Sequence, residues 1–91
     1  MFVRAHIIVE GLVQGVGFRW FVMQRAEALG IKGWAKNHYN GSVEIEAEAD
    51  RSMLEEFIKE VKVGPRSAHV TNLRIEWNEI VPQEFTHFQI R

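Results

Sequence analysis

The residues best placed to do chemistry are three glycines and an arginine in one short run, Gly11-Leu12-Val13-Gln14-Gly15-Val16-Gly17-Phe18-Arg19. Glycine admits backbone conformations and approach distances that a side chain forbids. Successive N–H groups can then turn inward and form a concavity that binds an anion. A helix starting behind such a loop adds free N–H donors and the positive end of its dipole. Arg19 contributes a permanent charge with a planar fork of donors suited to phosphate or carboxylate. The run therefore reads as an anion site, for a phosphoryl group, or as a tight turn before a helix. It is not a Walker loop, because the lysine and hydroxyl residue are missing. Nor is it a dinucleotide fingerprint, because no acidic residue in a surrounding βαβ unit follows about 20 positions on.

The wording of the run is more specific than its glycine content. Val9-x-Gly11-x-Val13-Gln14-Gly15-Val16-x-Phe18-Arg19 closely resembles the first signature of the acylphosphatase family, and Gly33-Trp34-Ala35-Lys36-Asn37 followed by Gly41-x-Val43 resembles the second. The two motifs stand in the family's order, and the resemblance covers essentially the whole chain. One departure is Ala49, where the family's second motif commonly closes with glycine. Ala49 is expected at a strand end, where it would bear on a turn more than on chemistry.

The elements that must position these residues follow from periodicity. Val3, Ala5, Ile7 and Val9 alternate with Arg4, His6 and Glu10, which predicts a half-buried strand ahead of the glycine loop. From Phe18 the apolar spacing becomes helical through Phe21, Val22, Ala26 and Leu29, and Gly30 ends that helix. Lys32 to Asn37 reads as a second strand. Asn40-Gly41 signals a hairpin, because both central residues tolerate positive φ. Val43, Ile45, Ala47 and Ala49 then alternate strictly with Glu44, Glu46 and Glu48, a strand whose glutamate row reads as one solvated sheet face. Asp50 or Ser52 is expected to cap the next helix, Ser52 with Glu55 in a capping box. Leu54, Phe57, Ile58 and Val61 form its apolar stripe, and Gly64-Pro65 stops it. Leu73, Ile75 and Trp77 alternate in a fourth strand, although Val70 breaks parity and leaves its start open. Phe88 and Ile90 suggest a short last strand ending at Arg91. The order β-α-β-β-α-β, with a short fifth strand, is the ferredoxin-like split βαβ pattern: an α+β sandwich of an antiparallel four- to five-stranded sheet with two helices on one face. The resemblance implies the same fold.

Composition bounds the rest. Ninety-one residues suffice for a single domain over 1–91. With 46% hydrophobic and 25% charged residues and a formal net charge of −1, nothing drives the chain toward nucleic acid or acidic membranes. An RNA-binding domain on this architecture would also need a basic sheet face and paired aromatics, which are missing. Arg4, His6 and Glu10 spoil the N-terminal run as a signal peptide or membrane span. The expectation is a cytoplasmic monomer whose partner is a small molecule, with no nucleic acid or membrane.

The residue inventory also limits mechanism. There is no cysteine, which removes a phosphocysteine intermediate, and Asp50 is the only aspartate, which removes an Asp-x-Asp nucleophile. His6, His38, His69 and His87 show no metal-ligand spacing. His38 adjoins Asn37 and reads as an exposed strand-end histidine. An enzyme built from an anion nest, one arginine, one asparagine and water could not expel an alkoxide. It could expel a carboxylate, whose conjugate acid has a pKa of about 4. That directs attention to a mixed carboxyl–phosphate anhydride, with no metal and no organic cofactor. In this reading the N–H groups around Gln14, Gly15, Val16, Gly17, Phe18 and Arg19 cradle the phosphoryl oxygens, and Arg19 clamps them. Phe18 doubles as a core residue. The Gln14 side chain either supports the loop or contributes nothing beyond its amide, and Trp34 either shapes the site's rim or packs the sheet. By spacing alone, Asn37 is an ordinary strand-end asparagine or a water-positioning group. The resemblance implies the second, because acylphosphatases use the motif arginine to bind phosphate and the motif asparagine to orient water. The same resemblance leaves a second function open, a non-catalytic module that holds an acyl or carbamoyl phosphate.

Overall fold

The computed structural model describes residues 1–79 and 82–91. Seven elements follow one another: β1 (Phe2–Leu12), α1 (Phe18–Ala28), β2 (Lys32–Asn37), β3 (Val43–Asp50), α2 (Arg51–Val63), β4 (His69–Asn78) and β5 (Phe88–Ile90). They form a five-stranded sheet in the order β4-β1-β3-β2-β5, with both helices over one face. This is the ferredoxin-like α+β sandwich expected from the element order. β5 runs parallel to β2, so the sheet is mixed instead of wholly antiparallel. Among the described residues no helix is long and apolar enough to cross a membrane.

Alternation in the sequence decides which side chains face the helices. Val3, Ala5, Ile7 and Val9 of β1 meet Val43, Ile45 and Ala47 of β3 on the covered face, all without solvent exposure. α1 lays Phe18, Val22 and Ala26 on this surface, and α2 lays Leu54, Phe57 and Val61. A side chain such as Phe57, fully buried, contributes about 1.5–3 kcal/mol relative to exposure.

Several local expectations are corrected by the structure. Val70 breaks parity because β4 carries an extra residue: Glu10 pairs with Asn72 but Gly11 pairs with Val70, so Thr71 is bulged out. The bulge brings Val70 back to the face shared by Leu73 and Trp77, which are likewise half-buried against the core. The β2–β3 connection is a hairpin, as expected. Gly41 N–H donates to His38 O at 3.1 Å and His38 N–H to Ser42 O at 2.9 Å, and only Gly41 has positive φ. That is a three-residue loop closed by a glycine, with the Asn40 side chain accepting from Ser42 N–H at 3.0 Å. Neither Asp50 nor Ser52 caps α2 through its side chain. The Asp50 carboxylate instead takes the terminal ammonium of Met1 at 2.5 Å, which holds its pKa below the usual range, and no capping box forms. Ala49 is the penultimate residue of β3, at the strand end as expected, and its side chain packs in the core opposite Val3.

Candidate functional site

The loop between β1 and α1 is held in an unusual backbone state. Gly15 and Gly17 have φ of 74° and 75°, and Gly17 occupies the N-cap position of α1 in the left-handed region. A Cβ built at either glycine meets nothing within 4 Å. What glycine supplies here is conformation, not clearance from a neighbour. The loop's N–H groups consequently point away from the protein's own acceptors. From Gln14 through Arg19, no main-chain N–H finds an acceptor among the described residues, and no side chain caps the helix. Unpaired donors in such a run, reinforced by a helix N-terminus, are the structural requirement for binding an anion.

The loop is not slack, because its other polar groups are tied down. Gln14 Nε2 donates to His38 O at 2.5 Å and to Ser42 O at 2.9 Å, which fastens the loop to the β2–β3 hairpin. Ser67 Oγ donates to Val16 O at 3.0 Å from the turn after α2. Every one of these anchors uses a side chain or a carbonyl and leaves the N–H array untouched. The open question about Gln14 is thereby answered in favour of loop support.

Asn37 ends β2 on the covered side of the sheet, in register with Val43 and in phase with Gly33 and Ala35. Its Oδ1 is buried and has no hydrogen-bond partner among the described residues. A buried acceptor left unpaired costs about 1–3 kcal/mol, which makes Asn37 a candidate contact for a ligand or water. Arg19, in the first turn of α1, donates from Nη1 to Arg91 O at 2.8 Å, and Arg91 N–H in turn bonds Ala35 O at 2.8 Å. The arginine is thus steadied by the end of β5, beside β2.

These groups share a single cleft of about 200 Å3. It is lined by Val13, Gly15, Gly17 and Phe18 together with Arg19, Trp20, Asn37 and Ile90. A larger groove of about 390 Å3 lies between α2 and the edge strand β4, but its lining of Ile58, Lys62 and residues 70–73 and 75 gathers no comparable donor set. The cleft can do two things chemically: surround an anion with N–H donors and a guanidinium, and hold a hydrogen-bonding group at Asn37.

Other sequence candidates lie elsewhere. His38 points to the open face of the sheet, opposite to Asn37, where His38 Nε2 and His6 Nε2 stand 2.5 and 2.6 Å from the two oxygens of Glu44. Burial acts to raise the Glu44 carboxyl, but its hydrogen bonds to the two histidines hold it below the ordinary glutamate range. Trp34 is on that same open face beneath the Arg91 guanidinium, 5.0 Å from its ring centroid, and takes no part in the cleft. The glutamate row is also more than a solvated face. Glu48 is buried, and accepts from Arg4 Nη2 at 2.7 Å and from the N–H groups of Glu84 and Phe85, each at 2.7 Å. Trp20 and Ile90 are the cleft residues that periodicity passed over. Trp20 belongs to the polar side of α1 and Ile90 to a three-residue strand, so neither advertises a role.

The fold and the cleft together define a small α+β protein carrying an N–H anion nest and an arginine at the start of its first helix. A family model described as Acylphosphatase matches residues 5–90. An acylphosphatase of Moorella thermoacetica is 45% identical over 98% of this chain and 94% of its own length. The crystal structure of the acylphosphatase from Bacillus subtilis superposes with a TM-score of 0.93 at 37% identity, covering 98% of each chain. Full-length HypF in a phosphate- and nucleotide-bound form matches with a TM-score of 0.85 and 29% identity, over all of this chain but only 12% of that one. The chain belongs to the acylphosphatase family, and it is an enzyme of that class acting on a small-molecule acyl phosphate.

Proposed function

We propose that the cleft hydrolyses the carboxyl–phosphate anhydride by in-line attack of water, with neither a metal nor a covalent intermediate. The phosphoryl oxygens lie against the N–H groups of Gln14 to Arg19, and the Arg19 guanidinium closes on them. Asn37 Oδ1 accepts one hydrogen of the attacking water, directing a lone pair of its oxygen at phosphorus. As the new P–O bond forms, the bond from phosphorus to the acyl oxygen breaks, and its electron pair leaves on the carboxylate. The water's proton passes to a phosphoryl oxygen, so the products are carboxylate and inorganic phosphate. Among the described residues Arg19 is the only charged side chain lining the cleft, and a guanidinium is no general base. The chemistry asked of the protein is thus positioning and charge stabilisation, which suits a leaving group that departs as a stable anion.

The observation that carries this reading is that Asn37, whose buried Oδ1 has no hydrogen-bond partner among the described residues, lines the same cleft as the free N–H array. Its test is a hydrolysis assay on benzoyl phosphate in chelator-treated buffer, with Arg19→Ala and Asn37→Ala beside the wild type. Each variant is expected to lose at least about 100-fold in kcat, on the scale of deleting one transition-state contact. Wild-type kcat in Asn37→Ala would rule out the water-positioning role. A second reading, a module that binds acyl or carbamoyl phosphate without turnover, draws support from the match to a small part of HypF. Tight binding of inorganic phosphate with no release of carboxylate would select it.

A further inference from the structure

The cleft has a second half that phosphate chemistry does not use. Its polar side chains, Arg19 and Asn37, are committed to phosphate and water in the reading above, on which this inference rests. Of the apolar ones, Val13 and Phe18 are each only 1% exposed and belong to the core. That leaves Trp20, 56% exposed, and Ile90, 38% exposed, as the cleft side chains with free surface. They come from different elements, the first turn of α1 and the end of β5. Both are large and apolar, and among the described residues no second cation, carboxylate or hydroxyl side chain lines the cleft beside them. The Arg91 guanidinium, the other charge at this end of the sheet, is turned to the open face against Trp34 and Gln89.

From this arrangement we infer that Trp20 and Ile90 form the acyl subsite, and that it selects aryl and branched alkyl acyl phosphates over small or carboxylate-bearing ones. An apolar acyl group docked there removes indole and isoleucine surface from water and leaves no polar group unsatisfied. A second carboxylate on the substrate would find no partner and would lose hydration. Because the two residues form an open ledge and not an enclosed pocket, recognition is by class and not by exact shape. Contacts with a hydrophobic wall of this kind discriminate by tens of fold.

The experiment measures kcat/KM for benzoyl phosphate, acetyl phosphate and succinyl phosphate with the wild type, Trp20→Ala and Trp20→Phe. Comparing each substrate with itself across the variants cancels differences in leaving-group reactivity. Trp20→Ala is expected to lower kcat/KM for benzoyl phosphate about tenfold further than for acetyl phosphate, mainly through KM, and Trp20→Phe to recover most of that loss. In the wild type, succinyl phosphate is expected to gain nothing over acetyl phosphate. Equal losses on benzoyl and acetyl phosphate in Trp20→Ala would overturn the subsite, as would a clear wild-type preference for succinyl phosphate. A wild type inert on all three substrates would overturn the hydrolytic reading itself, a result distinct from turnover without acyl preference.

Discussion

Two polar regions at opposite faces of the sheet follow opposite rules. On the open face, the buried Glu48 carboxylate is saturated: one oxygen takes the N–H groups of Glu84 and Phe85, and the other takes the Arg4 guanidinium. On the helix face, among the described residues, Asn37 Oδ1 is buried with no partner and the neighbouring loop offers N–H groups that nothing accepts. Saturation stabilises a fold, since a buried group whose bonds are all made costs little to keep. Unmet hydrogen-bonding capacity destabilises it, and is kept where a ligand will complete it. The contrast separates the part of the molecule that fastens residues 84 and 85 to the sheet from the part proposed to do chemistry.

The largest expected effect exploits that separation. Arg19→Ala should reduce kcat on benzoyl phosphate by roughly 10³-fold, about 4 kcal/mol of transition-state stabilisation, while the thermal midpoint moves little. Asn37→Leu should go further in kind: activity falls at least about 100-fold, but the midpoint rises, because an unsatisfied buried oxygen is removed. A falling midpoint in Asn37→Leu would show that the amide is structurally satisfied and break the comparison.

Glu48→Gln should do the reverse. It is expected to cost about 2–3 kcal/mol in urea unfolding by weakening bonds to a charged acceptor, with little change in kcat per folded molecule. The pH dependence sharpens this. Although burial raises the Glu48 carboxyl, its bonds to Phe85 N–H, Arg4 and Glu84 N–H leave it below the ordinary range. Its contribution is therefore complete above the unfolded value of about 4.3 and is lost as pH falls through the lower folded value. The stability gap between wild type and Glu48→Gln should close only in that acid range.

Gln14→Ala removes both tethers from the loop to the hairpin, at 2.5 and 2.9 Å. It should cost about 1 kcal/mol of stability and raise KM several-fold, since a looser loop must be ordered again by substrate. The smallest effect belongs to Glu46, whose carboxyl is pushed above the usual range by burial. Its raised value means that folding favours the protonated form. That favourable term is complete below the unfolded value and is lost as pH rises through the folded one. Glu46→Gln should accordingly gain up to about 1 kcal/mol at pH 7, and the gain should disappear near pH 4.

Much of this was legible along the chain, because it depends on periodicity and on special residues. Strict alternation in β1 and β3 declared which faces meet, and the shift to helical spacing at Phe18 placed the arginine of the nest in the first turn of α1. Gly15 and Gly17 announced a loop that ordinary residues could not adopt. The family motifs brought Asn37 to notice at a distance of 18 residues from Arg19, a separation that no local rule spans.

What remained hidden was whatever depends on who stands opposite. The glutamate row looked solvated because its spacing is that of any exposed strand face. Only the return of residues 84 and 85 across the sheet buries Glu48. Val70 seemed out of phase because a bulge at Thr71 exists only in the pairing with β1. Ser52 and Glu55 carried the pattern of a capping box, but α2 starts at Arg51 with Asp50 at its N-cap, which puts Ser52 inside the first turn. Residue types and their order thus determined the elements, the nest and its charge, because backbone conformation and amphipathicity are local properties. Tertiary structure alone decided that Asn37 would face the nest unpaired, that Gln14 would tether the loop to the hairpin, and that Trp20 and Ile90 would meet at one cleft. Those are contacts between segments far apart in the chain, settled only when the strands choose their neighbours and their register.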